Sequence, residues 1–199
     1  MSKADADVVI RDHIVDALSL IFLFPEGDEA VSLADIGSGA GFPGMALAIA
    51  VPNLSVLMID SIGKKTKFLS EAASELGLND RVVVETGRAE DFARDRKYRD
   101  KFDLATARAV GPLDLVVELA LPFLKVGGSL LAQKSHAQLA EELESGRKAA
   151  LLLGGKIGCV EKLNREVLGR EVVVVCVEKD KKTPSHFPRP TPQLKKPLG

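Results

Sequence analysis

Tryptophan is absent from this sequence of 199 residues, and tyrosine occurs only once. Proteins that bind single-stranded nucleic acid commonly stack its bases on several aromatic side chains. The composition therefore gives little support to that mode of binding. Positive charge is not in excess either, because the formal net charge is −1. A polycation that coats nucleic acid by charge alone is therefore excluded, and any contact with nucleic acid must come from a local basic patch.

Cysteine and histidine are also scarce, with two and three residues respectively. Cys159 and Cys176 lie in apolar, strand-like surroundings without CxxC spacing, which favours packing in the core over a redox or metal-binding role. The histidines are scattered without the spacing of metal ligands. The sequence therefore predicts no metal site.

Long apolar runs are missing as well. The longest, such as LSLIFLF at 18–24, fall far short of the roughly 20 residues that cross a bilayer. The first residues, MSKADADVV, have the character of neither a signal peptide nor a transit peptide. We therefore expect a soluble, cytoplasmic protein without a membrane partner; the alternative location is the plastid stroma, after removal of a transit peptide.

What is present is an alternation of strand-like and helix-like segments. Apolar runs at 31–37, 54–60, 81–86, 102–107 and 128–134 predict strands, and the segments between them predict helices. This alternation is typical of a parallel sheet with helices on both faces. Two further runs, KIGCVEKL and REVVVVCVEK, are separated by too few residues for a helical crossover and should pair antiparallel. The prediction is an α/β, Rossmann-like fold with a mostly parallel seven-stranded sheet that ends in an antiparallel hairpin. This ending resembles the class I methyltransferase fold, whereas dinucleotide dehydrogenases usually continue with another parallel unit.

The chain divides into three predicted regions. Residues 1–30 form an N-terminal helical segment with a helix over 7–24, residues 31–180 form the domain, and residues 181–199 form a tail. Five prolines and several lysines predict that this tail is extended and basic. Within the domain, helical periodicity predicts a helix with an inward face made of Phe68, Leu69, Ala72, Ala73 and Leu76.

The stretch LADIGSGAGFPG, residues 33–44, follows the first predicted strand. Gly39, Gly41 and Gly44 satisfy the pattern G-x-G-x-x-G, and Asp60 lies at the end of the next predicted strand. Glycines keep the backbone bare, so that a ligand can lie against main-chain atoms, and a carboxylate at Asp60 can bind ribose hydroxyls. This pattern fits NAD as well as S-adenosylmethionine and leaves both open.

Two further features favour S-adenosylmethionine. Asp35 stands two residues before Gly37 and can hold the ammonium end of this cationic cofactor, which has no pyrophosphate for a helix N-terminus to bind. The stretch GRAED at 87–91 follows the third predicted strand, where in methyltransferases a main-chain N–H and a polar side chain border the adenine ring. Ala89 and Glu90 are the candidates there. A structural alternative stays open for both acids, since Asp35 can cap a helix and Glu90 can be a first-turn charge.

Taken together, GSGAGFPG, DSIGKK, GRAED, ARAV, LAQK and PRPTPQLKKPL resemble the small-subunit (16S) ribosomal RNA guanine-N7 methyltransferases, a family also called glucose-inhibited division protein B. The likeness extends from about His13 to the C-terminus. It implies transfer of a methyl group from S-adenosylmethionine to N7 of one guanine in the decoding region of the rRNA, with S-adenosylhomocysteine as the product. It also implies a shortened N-terminal helical segment, since RDHIVDALSL matches only the end of the family's segment.

The resemblance implies roles for particular residues. Gly37 and Phe42 match the family's cofactor-loop contacts, and Ala89 and Glu90 match its adenine contacts. Arg108 matches its arginine after the fourth strand. Asp60 is added from the geometry of the fold. The expected cofactor-binding residues are Asp35, Gly37, Ser38, Gly39, Gly41, Phe42, Asp60, Ala89, Glu90 and Arg108.

The chemistry that the resemblance implies needs few residues. Guanine N7 carries an unprotonated lone pair at neutral pH, so no general base has to remove a proton. Arg108 is the candidate catalytic residue, expected to position O6, a phosphate or the cofactor's carboxylate rather than N7 itself; the alternative is a surface ion pair. Lys134, at the end of the fifth predicted strand, and Arg189 and Lys195, in the tail, are expected to bind RNA.

The expected partner is small-subunit rRNA or a ribosomal particle, bound by a monomer. Three other functions stay open: a non-catalytic RNA-binding or ribosome-assembly protein, a methyltransferase that acts on another substrate, and an NAD-dependent oxidoreductase. The sequence distinguishes neither the nucleotide nor free rRNA from an assembled particle.

Overall fold

Seven strands form one mixed sheet in this computed structural model, which describes residues 10–27, 29–163, 172–194, 196 and 198. They are β1 (Val31–Ile36), β2 (Leu54–Asp60), β3 (Val82–Thr86), β4 (Phe102–Arg108), β5 (Leu124–Ser135), β6 (Gly155–Leu163) and β7 (Val172–Lys179). The order along the sheet is β3-β2-β1-β4-β5-β7-β6. Neighbours among β1 to β5 pair in parallel, whereas β7 runs antiparallel to both β5 and β6. The predicted seven-stranded sheet with an antiparallel end is confirmed.

The central strands are covered on both faces, which explains their nearly continuous apolar sequences. In β2, LSVLMID, every residue except Ser55 is buried. The chain builds outward from β1 to β2 and β3, then returns to the other side of β1 to form β4. The carboxyl ends of β1 and β4 therefore diverge into a crevice, the usual ligand position of such sheets.

Helical segments cover both faces. An N-terminal helical segment consists of a π-helical turn (Ile10–Val15), α1 (Asp16–Leu18) and a 3-10 turn (Ser19–Leu23), in agreement with the prediction; residues 7–9 of the predicted helix lie outside the described residues. The remaining helices are α2 (Gly44–Ala50), α3 (Gly63–Glu75), α4 (Ala89–Phe92), α5 (Leu113–Ala120), a 3-10 turn (Leu121–Phe123), α6 (His136–Leu153) and α7 (Thr191–Leu194).

The sheet divides the core into two layers. One layer packs the sheet against α4, α5 and α6 around the fully buried Phe123, and the other packs it against α2, α3 and the N-terminal helical segment around Leu20. Local sequence sets the ends of α6. Ser135 and Gln138 form a reciprocal capping box at its start, and Gly154 ends it in the left-handed conformation, with φ of 91°.

The inward face predicted for α3 is partly wrong. Leu69 and Ala73 are buried, but the side chains of Phe68 and Leu76 are 54% and 52% exposed. They line an apolar groove between α2, α3 and the N-terminal helical segment. The periodicity identifies the apolar face of α3 correctly. This face extends beyond the surface that the sheet, α2 and the N-terminal helical segment cover.

The two cysteines form a disulfide, with the Sγ atoms 2.15 Å apart. The expectation of separate thiols packed in the core is wrong because the antiparallel register of β6 and β7 places Cys159 directly opposite Cys176. The two cysteines are 17 residues apart in sequence, and the spacing alone does not give the register that pairs them.

Residues 183–194, which we call the C-terminal strap, pack against the domain, and only the short helix α7 within them departs from the predicted extended tail. Phe187 within it is 5% exposed and packs in the layer with α5 and α6. The guanidinium of Arg94 donates to the carbonyl of Pro188 at 3.1 Å, and that of Arg99 donates to the carbonyl of Phe187 at 2.9 Å. Prolines remove N–H donors but leave carbonyls, and here arginines of the domain satisfy those carbonyls.

Candidate active site

A crevice opens at the carboxyl edge of the sheet, where the strand order reverses between β1 and β4. Its walls include the glycine loop after β1, the end of β2, the first turn of α4 and Val110 after β4. Gly37, Asp60, Ala89 and Glu90 line it together. The structure thus brings residues from three separate sequence motifs to one crevice.

The glycine loop is held against the end of β2. The N–H groups of Gly37 and Ser38 both donate to the carbonyl of Ile59, at 2.9 and 3.0 Å. Gly37 has φ of 70°, and a Cβ at this position would lie 2.8 Å from Cγ2 of Val110. Both the conformation and the close approach of Val110 require glycine, and the bare backbone leaves room for a ligand.

Other members of the loop bond mainly within it. The hydroxyl of Ser38 donates to the carbonyl of Asp35 at 3.0 Å and is buried, and the N–H of Gly41 donates to the carbonyl of Ser38 at 2.8 Å. These bonds fix the path of the backbone beneath the crevice. Direct cofactor contacts from Ser38, Gly39 and Gly41 stay predictions.

Asp60 lies at the end of β2 with its carboxylate facing the loop. Its Oδ2 accepts from the N–H of Gly39 at 3.0 Å and its Oδ1 accepts from the N–H of Ile62 at 2.9 Å. A carboxylate has about four lone-pair positions, so two remain for hydroxyl donors, with Nζ of Lys65 3.6 Å from Oδ2. The two N–H donors fix the plane of the carboxylate, and Asp60 lines the crevice at the position expected for a ribose.

Asp35 lies behind the loop rather than in the crevice. Its Oδ1 accepts from the hydroxyl of Thr106 at 3.0 Å, and its Oδ2 accepts from the N–H of Gly44 at 3.2 Å, at the start of α2. The side chain is fully buried, and burial raises its pKa to about 6, against the lowering effect of hydrogen bonds from Ser38, Thr106 and Gly44. A Cβ on Gly44 would lie 2.5 Å from Oδ2. The bond from Gly44 ties Asp35 to the first turn of α2, and contact of Asp35 with the cofactor's ammonium group stays a prediction.

Ala89 and Glu90 begin α4, beside Asp60. Ala89 is half-buried and lines the crevice, and Glu90 is 5% exposed. The carboxylate of Glu90 is held from outside the motif, because the hydroxyl of Thr191 in the C-terminal strap donates to its Oε1 at 2.6 Å. A first-turn charge in solvent would have no such partner, so the burial of Glu90 favours a role in the site.

Arg108 ends β4 and points toward the N-terminal helical segment. Its Nη1 lies 2.9 Å from Oδ2 of Asp16, which is 1% exposed, whereas the side chain of Arg108 is 20% exposed. The amide nitrogen of Gln133, on β5, donates to Oδ1 of the same aspartate at 3.1 Å. Arg108 is therefore held in one orientation by an ion pair that is largely removed from water.

Two rings complete the surroundings of Arg108. Its Nη2 lies 3.1 Å from Nδ1 of His13, and because a guanidinium only donates, Nδ1 is the acceptor. The ring centroids of His13 and Phe42 are 5.4 Å apart, and Cζ of Arg108 lies 5.7 Å from the Phe42 centroid, within cation–π range. The structure thus joins Phe42 of the glycine loop, Arg108 and the N-terminal helical segment.

Sequence analysis missed His13, Asp16 and Gln133 as functional candidates. Asp16 carries a signal in hindsight, since it is an acid between buried positions of an amphipathic helix, where a charge needs a partner. Its partner lies 92 residues away on β4, and only the fold reveals it. His13 and Gln133 carry no such signal.

The residues expected to bind RNA are mostly engaged within the protein. Lys134 is 7% exposed, and its Nζ donates to the carbonyl of Gly111 and pairs with Glu142 at 2.7 Å. Arg189 pairs with Glu118 through its Nη2 at 2.8 Å. Each of these two cations already faces a carboxylate of the protein, and phosphate contacts from their side chains stay predictions. Lys195 lies outside the described residues.

The described part of the chain contains no group of three or more histidine, cysteine, aspartate or glutamate side chains that could hold a metal ion. None of its helices combines the length and apolarity of a membrane-spanning segment.

The sheet order, its antiparallel end, the glycine loop and the carboxylate at the end of β2 define a class I S-adenosylmethionine-dependent methyltransferase. TYW2 of M. jannaschii, solved with AdoMet, has a similar fold: the TM-score is 0.64 with 19% identity, over 85% of this chain and 77% of that one. Geranyl diphosphate methyltransferase, solved with SAM, gives a TM-score of 0.62 with 17% identity, over 83% of this chain and 85% of that one. The cofactor of this class fits the crevice, where Gly37 leaves space and Asp60 retains free lone pairs.

The sequence comparisons narrow the class to a family. The model of the family described as rRNA small subunit methyltransferase G matches residues 1–172. Ribosomal RNA small subunit methyltransferase G of Lactococcus lactis subsp. cremoris is 43% identical over 182 residues, which are 91% of this chain and 75% of the relative. The corresponding protein of Geobacillus thermodenitrificans is 41% identical over 185 residues, covering 93% and 76%. This chain belongs to the rRNA small subunit methyltransferase G family.

Proposed function

We propose that this protein transfers the methyl group of S-adenosylmethionine to N7 of one guanine in 16S rRNA. The observation that carries the proposal is the crevice at the strand-order reversal, which places a glycine loop, Asp60 and Glu90 around one space with Arg108 nearby. Membership of the rRNA small subunit methyltransferase G family favours this function over a non-catalytic RNA-binding or assembly role.

The cofactor is bound from three sides in this proposal. Asp60 accepts hydrogen bonds from the ribose hydroxyls, the backbone of Gly37 lies against the ligand, and the N–H of Ala89 and the carboxylate of Glu90 bind the edge of adenine. When bound, S-adenosylmethionine supplies an electrophilic methyl group on a sulfonium. The contacts of Ala89 and Glu90 fix the cofactor's orientation along the crevice.

The reaction itself requires alignment more than acid or base catalysis. The N7 lone pair forms the new N–C bond as the C–S bond breaks, so the products are S-adenosylhomocysteine and a cationic 7-methylguanine. No proton is transferred. Holding the reacting atoms in line can contribute roughly 7 to 11 kcal/mol in well-oriented systems, and the rigid network around Arg108 and Phe42 suits this task.

Arg108 is proposed to position the guanine O6 or the cofactor's carboxylate. A free cation beside a base that becomes cationic would oppose the reaction. Here Asp16 lies 2.9 Å from the guanidinium and offsets most of its charge at that distance. The pair can therefore donate hydrogen bonds without repelling the product.

Contacts with RNA are proposed to come from exposed lysines rather than from the two engaged cations. Lys64, Lys65 and Lys67 are exposed on α3, next to the glycine loop, and Lys181, Lys182 and Lys196 are exposed near the C-terminal strap. Lys195, which lies outside the described residues, stays a candidate. The two groups belong to opposite layers of the fold, so we propose them as separate sources of the local positive charge that a chain of net charge −1 needs for phosphate binding. We propose that the protein acts as a cytoplasmic monomer.

The deciding experiment incubates the purified protein with methyl-labelled S-adenosylmethionine and either small-subunit particles or protein-free 16S rRNA, both from a strain that lacks the modification. Label should appear at a single guanine, and mass spectrometry of the nuclease digest should identify 7-methylguanosine. Preference for one form of the substrate gives the state of the rRNA that is recognised. Absence of label on both substrates, with an active family member labelling them in parallel, would contradict the proposal.

A further inference from the structure

The C-terminal strap, residues 183–194, is fastened to the domain by buried charge. The guanidinium of Arg189 donates through Nε and Nη2 to the carboxylate of Glu118 at 2.8 to 3.0 Å, and the N–H of Arg189 donates to the same group at 2.6 Å. Glu118 lies on α5 and is 0% exposed. A buried carboxylate with this many donors fixes the backbone of the strap at residue 189.

A second set of contacts fastens the middle of the strap. Arg99 donates to the carbonyls of Thr183 and Phe187, both at 2.9 Å, and Arg94 donates to that of Pro188 at 3.1 Å. Arg94 and Arg99 lie in the segment between α4, the helix that begins with Ala89 and Glu90, and β4. These contacts therefore hold the strap against the segment that follows α4, the helix whose first turn borders the crevice.

The strap reaches the crevice through one side chain. Thr191, two residues after Arg189, donates its hydroxyl proton to Oε1 of Glu90 at 2.6 Å, across 101 residues of sequence. Glu90 is 5% exposed and lines the crevice. The bond occupies one lone pair of Oε1 and leaves Oε2 available to another donor.

We propose that Thr191 is a positioning residue for cofactor recognition: it holds the Glu90 carboxylate so that this group accepts a hydrogen bond from the exocyclic 6-amino group of adenine. A glutamate has three side-chain torsions, and fixing them before the ligand arrives removes an ordering cost from binding. The inference rests on the adenine contact of Glu90 in the proposed function. It assigns the C-terminal strap to the cofactor site rather than to RNA.

The first test measures binding of S-adenosylhomocysteine by calorimetry, without RNA. Thr191→Val removes the hydroxyl and keeps the shape, and we expect about tenfold weaker binding, the equivalent of one charge-assisted hydrogen bond. Thr191→Ser should restore the affinity. The matched control is Thr183→Val in the same strap, since Thr183 is 6% exposed and its hydroxyl oxygen has no hydrogen-bond partner among the described residues. This control should bind as tightly as the parent protein.

A second ligand separates positioning from a general loss of structure. S-inosylhomocysteine carries an oxygen where S-adenosylhomocysteine carries the 6-amino group, so Glu90 cannot accept from it at that position. The parent protein should prefer the adenine ligand, and Thr191→Val should lower this preference about tenfold. A preference that is unchanged in Thr191→Val, or absent from the parent protein, would overturn the inference.

The two proposals fail in different experiments. If the parent protein shows the expected ligand preference but leaves 16S rRNA unmethylated, the inference about Thr191 stands and the proposed substrate is wrong. If rRNA is methylated at guanine N7 but Thr191→Val binds both ligands as the parent does, the inference about Thr191 is wrong and the proposed function stands.

Discussion

Arg108 and Asp16 form an ion pair, with Nη1 and Oδ2 2.9 Å apart, between the end of β4 and the N-terminal helical segment. Asp16 is 1% exposed and also accepts from Gln133 on β5. The direction of the Arg108 guanidinium is therefore set by a helix that precedes the sheet in sequence. Asp16, which lies outside the sheet, thus fixes the orientation of the Arg108 guanidinium at the carboxyl edge of the sheet.

Asp16→Asn should lower kcat/KM for rRNA methylation by at least tenfold. The amide cannot offset the charge of Arg108 or accept as strong a hydrogen bond, so the guanidinium both reorients and repels the cationic product. Affinity for S-adenosylhomocysteine separates the two proposed contacts of Arg108, since it falls only if Arg108 binds the cofactor's carboxylate. Glu75→Gln, an exposed acid at the end of α3, is the control. Unchanged turnover in Asp16→Asn would remove the pair from the mechanism.

Asp60→Ala should weaken cofactor binding far more than Asp91→Ala. Asp60 lines the crevice and holds the N–H of Gly39 at 3.0 Å, whereas Asp91 is an exposed residue of α4. Hydrogen bonds to a charged group contribute about 1.5 to 3 kcal/mol each, so the expected loss is at least tenfold for Asp60→Ala. Calorimetry with S-adenosylhomocysteine measures both variants, and equal losses would contradict the ribose assignment.

The stability of the protein should depend on the protonation of Asp35. Its pKa is raised from 3.8 to about 6 by burial, so the folded state binds the proton more tightly than the unfolded state does. The resulting stabilisation is complete below pH 4 and is lost as the pH rises through about 6; at about 1.4 kcal/mol per pKa unit, the loss is about 3 kcal/mol.

Asp35→Asn removes this titration. Between pH 4 and pH 8, the free energy of unfolding of the variant relative to the parent should rise by about 3 kcal/mol, as measured by urea denaturation at a series of pH values. The difference between the two proteins corrects for the other titrating groups. A difference that does not change with pH would show that Asp35 is not held in the buried position described.

Arg189→Ala should destabilise the fold by about 3 to 5 kcal/mol, because it leaves the carboxylate of Glu118 buried and without its main cation. Its effect on rRNA affinity at a fixed folded fraction should be small. Lys181→Ala is the control, since Lys181 is exposed and should change the salt dependence of RNA binding but not the melting temperature. A stable Arg189→Ala variant with weaker RNA binding would restore the original expectation of an RNA contact.

Local sequence predicts the strands and most helices of this fold because apolar runs and their spacing are local properties. β2 occupies 54–60 as predicted, and α6 begins and ends at the capping residues Ser135 and Gly154. The glycine loop and Asp60 are predictable for the same reason, because a strand, a turn and the next strand carry them within 33–60.

The contacts that orient the site are not local. Arg108 pairs with Asp16, which is 92 residues away in sequence, and Thr191 binds Glu90, which is 101 residues away. Such partners depend on where the helices and the C-terminal strap pack, which periodicity does not specify. The same reason explains why the ion pair of Arg189 with Glu118 is not predicted, since the buried partner lies 71 residues away in sequence.

The burial of Glu118 has a consequence for the evolution of this sequence. A charged residue on the surface can be substituted by itself. A substitution at Glu118 or Arg189 alone leaves the other residue as an uncompensated charge in the protein interior. Lineages should therefore keep both partners or exchange both at once. An alignment of many descendants would then display these two positions as a correlated pair, despite their distance along the chain.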